Sequence, residues 1–102
     1  MELIPKELLE SIPKLYETED VVNPICHVKL FTPDAQWTWY IIEVSIDENL
    51  CYGYVQGLDN ELGYFNLDEI KQVKGPLGLS VERDLSFTPK PLSELRKDSN
   101  DD

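Results

Sequence analysis

Residues 31–65 hold eight of the ten aromatic residues of this 102-residue chain: Phe31, Trp37, Trp39, Tyr40, Tyr52, Tyr54, Tyr64 and Phe65. Aromatic and β-branched side chains fit a pleated, half-buried surface, so this block predicts the core of a β-sheet. No metal-ligand spacing, nucleophile arrangement or phosphate loop accompanies it. The block therefore constrains the fold far more than the chemistry.

Within it, residues 36–45 form the strongest predicted strand. Trp37, Trp39 and Ile41 alternate with Thr38, Tyr40, Ile42 and Val44. Apolar side chains on both faces predict a central strand covered on both sides, with an N-terminal helix on one of them. Residues 50–58 read as the next strand, with Leu50, Tyr52, Tyr54, Gln56 and Leu58 on one face and the smaller Cys51, Gly53, Val55 and Gly57 on the other. Two glycines on one face predict a close backbone approach or a bend. After a turn at Asp59-Asn60-Glu61, residues 62–65 pair back and extend an antiparallel meander.

The flanking segments supply the other elements. Apolar residues at 4, 8, 12 and 15, with Leu9 beside them, predict a helix over residues 3–16, with Pro5 in its first turn and Pro13 as a stop or kink. An acidic linker, residues 17–23, leads to Pro24 and a strand over 25–31, whose alternation groups Cys26, Val28 and Leu30 against Ile25, His27, Lys29 and Phe31. Thr32-Pro33-Asp34-Ala35 reads as a turn. Asn66 and Glu69 have the spacing of a capping box, followed by a short helix to about Val73. Gly75-Pro76-Leu77-Gly78 reads as a rigid turn, residues 81–87 as an edge strand, and residues 92–96 as a last helical turn. The expected fold is α+β: an antiparallel sheet of four to five strands with an N-terminal helix and one or two short helices. A single domain over residues 1–97 and an acidic disordered tail over 98–102 complete the expected layout.

Charge narrows the partners. Twenty acids against nine bases give a net charge of −11, and the tail holds three of those acids, so the remainder still carries −8. Direct nucleic-acid binding needs a basic footprint and is not expected. The longest apolar runs fall short of a membrane span, and the opening Met1-Glu2-Leu3-Ile4-Pro5-Lys6 lacks a basic start followed by a long apolar stretch. A cytoplasmic protein with no membrane contact is the expectation, with Cys26 and Cys51 kept as reduced, buried thiols.

The residues give catalysis little to work with. His27 is the only histidine and stands next to Cys26, and neighbours on a strand point to opposite faces, so they cannot form a nucleophile pair. No cofactor, metal site or catalytic residue is expected. Glu82-Arg83-Asp84 reads as an ion-pair element that fixes a strand or turn.

Taken together, the motifs Phe31-Thr32-Pro33, Trp37-Thr38-Trp39-Tyr40, Gly53-Tyr54-Val55, Glu61-Leu62-Gly63-Tyr64-Phe65, Gly75-Pro76-Leu77-Gly78-Leu79 and Glu82-Arg83-Asp84-Leu85 resemble a bacterial family catalogued as domain of unknown function 2958. The resemblance also takes in residues 3–16 and Pro91-Leu92-Ser93-Glu94. It departs at Cys51-Tyr52, where relatives tend to carry an aromatic pair, and in the tail. It implies a small single-domain protein of plasmids, integrative elements or phages, with no activity, cofactor or catalytic residues to carry over.

The expected function is a non-enzymatic protein-interaction module in which an acidic rim surrounds an aromatic patch. A domain this small cannot cover both sheet faces fully, so Trp37, Trp39, Tyr52 and Tyr54 are candidate partner-binding residues. Mobile-element association, as the resemblance implies it, combined with the charge gives a specific version. The chain would inhibit a host defence nuclease by occupying its nucleic-acid groove, as anti-restriction or anti-CRISPR proteins do, with Asp47, Glu48, Asp59, Glu61, Asp68 and Glu69 standing in for phosphates. The partner is then a host or element-encoded protein. The alternative is a small-ligand binder or enzyme using carboxylates and tyrosines in a pocket beside the sheet.

Overall fold

A computed structural model describes residues 3–98, the side chains as far as Arg96. Its elements are α1 (Lys6–Ser11), β1 (Ile25–Cys26), β2 (Val28–Phe31), β3 (Thr38–Val44), β4 (Leu50–Gln56), β5 (Asn60–Asn66), α2 (Leu67–Ile70), β6 (Glu82–Arg83), β7 (Lys90–Pro91) and α3 (Leu92–Asp98). A five-stranded antiparallel sheet runs in the order β5-β4-β3-β2-β6, and β1 and β7 form a second, two-stranded sheet. The class is α+β, as the residue pattern predicts. Of the tail expected at 98–102, Asp98 closes α3 and the rest lies outside the described residues.

The helix expected over 3–16 is only α1. Ile12 precedes Pro13, which disfavours helical geometry for it, and it takes an extended conformation while its N–H bonds Leu9 O. Pro5 stands just before the helix and offers its carbonyl to the amides of Leu8 and Leu9. Beyond Pro13 the chain forms an isolated bridge from Lys14 to Val44 and then turns through residues 15–20.

The strand expected over 25–31 breaks at His27. Its amide bonds Ile41 O at 2.8 Å, while β1 leaves the main sheet to pair with β7. The break puts Cys26 on one side of the sheet, with Tyr40, Ile42, Tyr54, Leu92 and Leu95, and Val28 and Leu30 on the other, with Ile4, Leu9, Ile12, Trp39, Ile41, Leu67 and Ile70. The single-face grouping of Cys26, Val28 and Leu30 is therefore corrected. The two-sided burial expected of β3 is present, because six of its seven residues are buried.

Cys51 belongs to the opposite side from Cys26, so the sheet separates the two free thiols. Burial pushes both up to about 12, which keeps them as protonated, poorly nucleophilic thiols.

Half-buried His27 titrates below its ordinary value because desolvation penalises the imidazolium. Its folded pKa lies beneath its unfolded one, so its contribution to stability is complete above about 6.5 and is lost as the pH falls through the folded value. We expect the urea midpoint to drop between pH 7.5 and pH 5.5. His27→Gln should reduce that drop, and an equal drop in both proteins would refute the assignment.

Local signals at α2 are redistributed. Asn66 makes no capping bond to the backbone, and its side-chain amide instead donates to Glu69 Oε1 at 2.9 Å. The cap comes from Asn49 in the β3–β4 turn: its Oδ1 accepts from Asp68 N at 3.0 Å, and its carbonyl accepts from Leu67 N at 2.8 Å. The helix stops at Ile70, short of Val73. The edge strand expected over 81–87 contracts to β6, and the pairing of β7 had no sequence signal of its own. Arg83 donates from Nε to Leu3 O at 3.2 Å, and Asp84 faces Lys29 at 3.6 Å, so Glu82-Arg83-Asp84 ties the N-terminal segment and β2 to the edge.

Candidate functional site

The antiparallel register decides where the candidate residues fall. The β3–β4 turn, the start of β4 and the end of β5 share one end of the sheet, since Leu50 pairs with Asn66. The β4–β5 turn lies at the other end, where Gln56 pairs with Asn60. Seven residues of strand put these ends about 20 Å apart.

At the first end Asp47, Glu48 and Asp68 line an open groove of about 810 Å³ with Asn49, Leu67 and Lys71. Exposed Glu69 stands in the same helix as Asp68, held by Asn66. Ser45 closes the β3–β4 turn. Its hydroxyl donates to Asp47, and that bond, followed by the amide of Asn49, holds the Asp47 carboxyl below its ordinary range. Glu48 takes a left-handed φ of 62° in the turn.

At the second end stand the exposed Asp59 and Glu61 and the half-exposed Trp37. The Trp37 ring covers Gly57, where a Cβ would come within 2.2 Å of it, and stacks on Trp39 at 6.1 Å. Trp39 and Tyr54, at 7% and 0% exposure, are core and present almost no surface to a partner. The six acids expected to act together thus divide four and two.

A site that the sequence reading did not assemble lies beside the first end, on the α3 side of the sheet. β3 and β4 slip register between Ile41 and Glu43, so both Ile42 and Glu43 oppose the step from Gly53 to Tyr52. A bulge of this kind re-aims the side chains that follow. Glu43 turns to the face of Ile42 and Tyr52, while Val44 joins the face of Ile41, which corrects its expected grouping with Ile42.

Glu43 is 3% exposed, and its carboxylate gathers residues 16–18: Oε1 accepts from Tyr16 N at 2.8 Å, and Oε2 accepts from Thr18 N at 2.8 Å and from the Thr18 hydroxyl. Buried charge is tolerable when each oxygen is hydrogen-bonded in this way. Tyr16 takes a left-handed φ of 72° to present its amide.

The loop so fixed forms one wall of a groove of about 360 Å³. Tyr16, Val21 and Val22 lie on the loop side, Tyr52, Leu62 and Tyr64 on the strand side, and Leu92 and Arg96 come from α3. The rings of Tyr52 and Tyr64 meet at 5.0 Å. Partial desolvation, then neighbouring Tyr16 and the Glu43 carboxylate, hold the Tyr64 phenol above its ordinary value. Arg96 places its guanidinium 5.5 Å from the centre of the Tyr54 ring. Of the groove's aromatic residues only Tyr52 was a sequence candidate. The stretch of turn residues around Thr18 gave no sign that a strand carboxylate would organise it.

Among the described residues no group of three or more histidine, cysteine, aspartate or glutamate side chains is arranged to hold a metal ion. No described helix is long and apolar enough to cross a membrane. The family model described as "Protein of unknown function (DUF2958)" matches residues 3–101. No curated protein and no solved structure matches the chain.

Proposed function

The chain belongs to the DUF2958 family, whose description assigns no activity, and from its own surface we propose that it is a non-enzymatic protein-binding module. One observation carries this reading. Tyr16, Val22 and Tyr64, exposed by 60%, 100% and 54%, converge on a single groove with Glu19 and Arg96, while Asp47, Glu48 and Asp68 line a separate groove on the opposite side of the sheet. Exposed aromatic and apolar side chains beside charged ones are the composition of a protein interface. Glu43, the carboxylate inside the groove, has both oxygens engaged by residues 16–18, so it shapes the groove wall.

The finer reading is an inhibitor that occupies the nucleic-acid groove of a host defence nuclease. A net charge of −11 and four acids at one sheet end support it, because a basic cleft attracts such a surface over long range. A second reading, a small-ligand binder, is favoured by the carboxylate and tyrosines that line the groove.

The test is affinity purification of the tagged chain from its bacterial host, after nuclease treatment and over a salt series. A stoichiometric basic partner is expected. Its affinity should fall roughly tenfold or more, with a flatter salt dependence, when Asp47, Glu48 and Asp68 are changed to lysine. Unchanged affinity and salt slope would refute the inhibitor reading. A partner equally indifferent to Val22→Asp with Tyr64→Ser would remove this surface from the module. Recovery of the chain alone would favour the small-ligand reading.

A further inference from the structure

We infer that β5 is the place where the partner is taken up: a basic, extended segment of the partner pairs with its outer edge as an additional strand. The inference rests on the protein-binding reading and names its mode. The five-stranded sheet ends in two unlike edges. One is β6, two residues long, and the other is β5, seven residues long and in unbroken register with β4 from Asn60 to Asn66.

A sheet edge presents a row of backbone donors and acceptors, and proteins ordinarily blunt it with short strands, lysine, proline or bulges. Shortness guards the β6 edge. β5 has no lysine, proline or bulge, and among the described residues no strand pairs with its outer side. At its centre Gly63 faces open space, since a Cβ there would meet nothing within 4 Å.

The surroundings specify the occupant. Residues 59–70 carry Asp59, Glu61, Asp68 and Glu69 and no lysine or arginine, so acids bracket both ends of the edge. Arg96 lines the groove from α3, over the Tyr54 ring. A second copy of this chain would bring another −11 to the same edge, which selects against self-pairing and for a basic segment. Leu62 and Tyr64 project from β5 into the groove margin, so alternate residues of an added strand would lie beside them. Backbone pairing would supply affinity, and the alternation of apolar and basic side chains would supply selectivity.

The probe is a capped heptapeptide alternating lysine and valine, compared with a twin that is N-methylated on every second residue. Methylation removes backbone donors from one edge and keeps the charge and the side chains. Titration into the ¹⁵N-labelled chain should shift the amides of residues 60–66 and slow their hydrogen exchange. The twin should bind at least tenfold more weakly, and Asp59→Lys with Glu61→Lys should weaken the unmethylated peptide several-fold. Equal binding of the two peptides, or no perturbation of β5 at millimolar peptide, overturns the inference. So does self-association through β5 in sedimentation that the peptide does not reverse. Equal competition by both peptides against a partner that the groove variants lose would overturn the added strand alone and leave the module reading standing.

Discussion

Gly53→Ala is expected to destabilise the protein by about 3 kcal/mol, read as a lowered urea midpoint. The methyl group would come within 1.8 Å of the Tyr40 carbonyl oxygen and 3.2 Å of Ile41 Cα. Both are backbone atoms of the central strand, next to the bulge, and no rotamer change can move them aside. The strands would have to separate where Ile41 pairs with Gly53, beneath fully buried Ile41 and Tyr54. Gly63→Ala is the control. It lies on the adjoining strand with space around it, and its effect should stay within about 0.5 kcal/mol. Equal effects at the two positions would show that close approach at Gly53 does not control this sheet.

Glu43→Ala should cost about 3 kcal/mol as well, by a different route. It leaves the amides of Tyr16 and Thr18 and the Thr18 hydroxyl without the acceptor they share. The opening is centred on the groove wall, so amide exchange at residues 16 and 18 should accelerate more than that of β3 and β4, whose protection falls only with the global stability. Glu43→Gln keeps one acceptor oxygen and should lie between alanine and wild type. If Glu43→Ala unfolds nothing and residues 16 and 18 exchange as before, the carboxylate is not what holds the loop.

Most of the sheet was legible in the sequence because its signals are local. Alternation from Trp37 to Val44 and from Leu50 to Leu58, with turn residues between, defines β3, β4 and their meander. The glycine face of β4 foretold a close backbone approach, and Gly53 makes one. What the residues did not reveal arises from contacts between distant segments. Nothing near Ile25 indicates that β1 will leave the main sheet for Pro91 and Lys90. The bulge at Glu43 is invisible to a period-two reading, which assumes no slip and therefore put Val44 on the wrong face. The same slip explains why Glu43 faces the groove. Trp39 and Tyr54 were expected among binding residues because so small a domain cannot cover both sheet faces fully, whereas the covering elements bury them and leave Tyr16 and Tyr64 outside. Composition showed the acidity plainly, but only the register could divide it between two ends.

The cap on α2 has a consequence for how the chain acquires its structure. Four residues of helix cannot sustain themselves in water, and here the group that terminates their free amides belongs to a turn that precedes them by 18 residues. Asn49 reaches that position only once β4 and β5 have brought Leu50 opposite Asn66. The helix is thus conditional on the hairpin. Its formation should report the closing of the meander, and a peptide spanning residues 66–73 by itself has no reason to be helical.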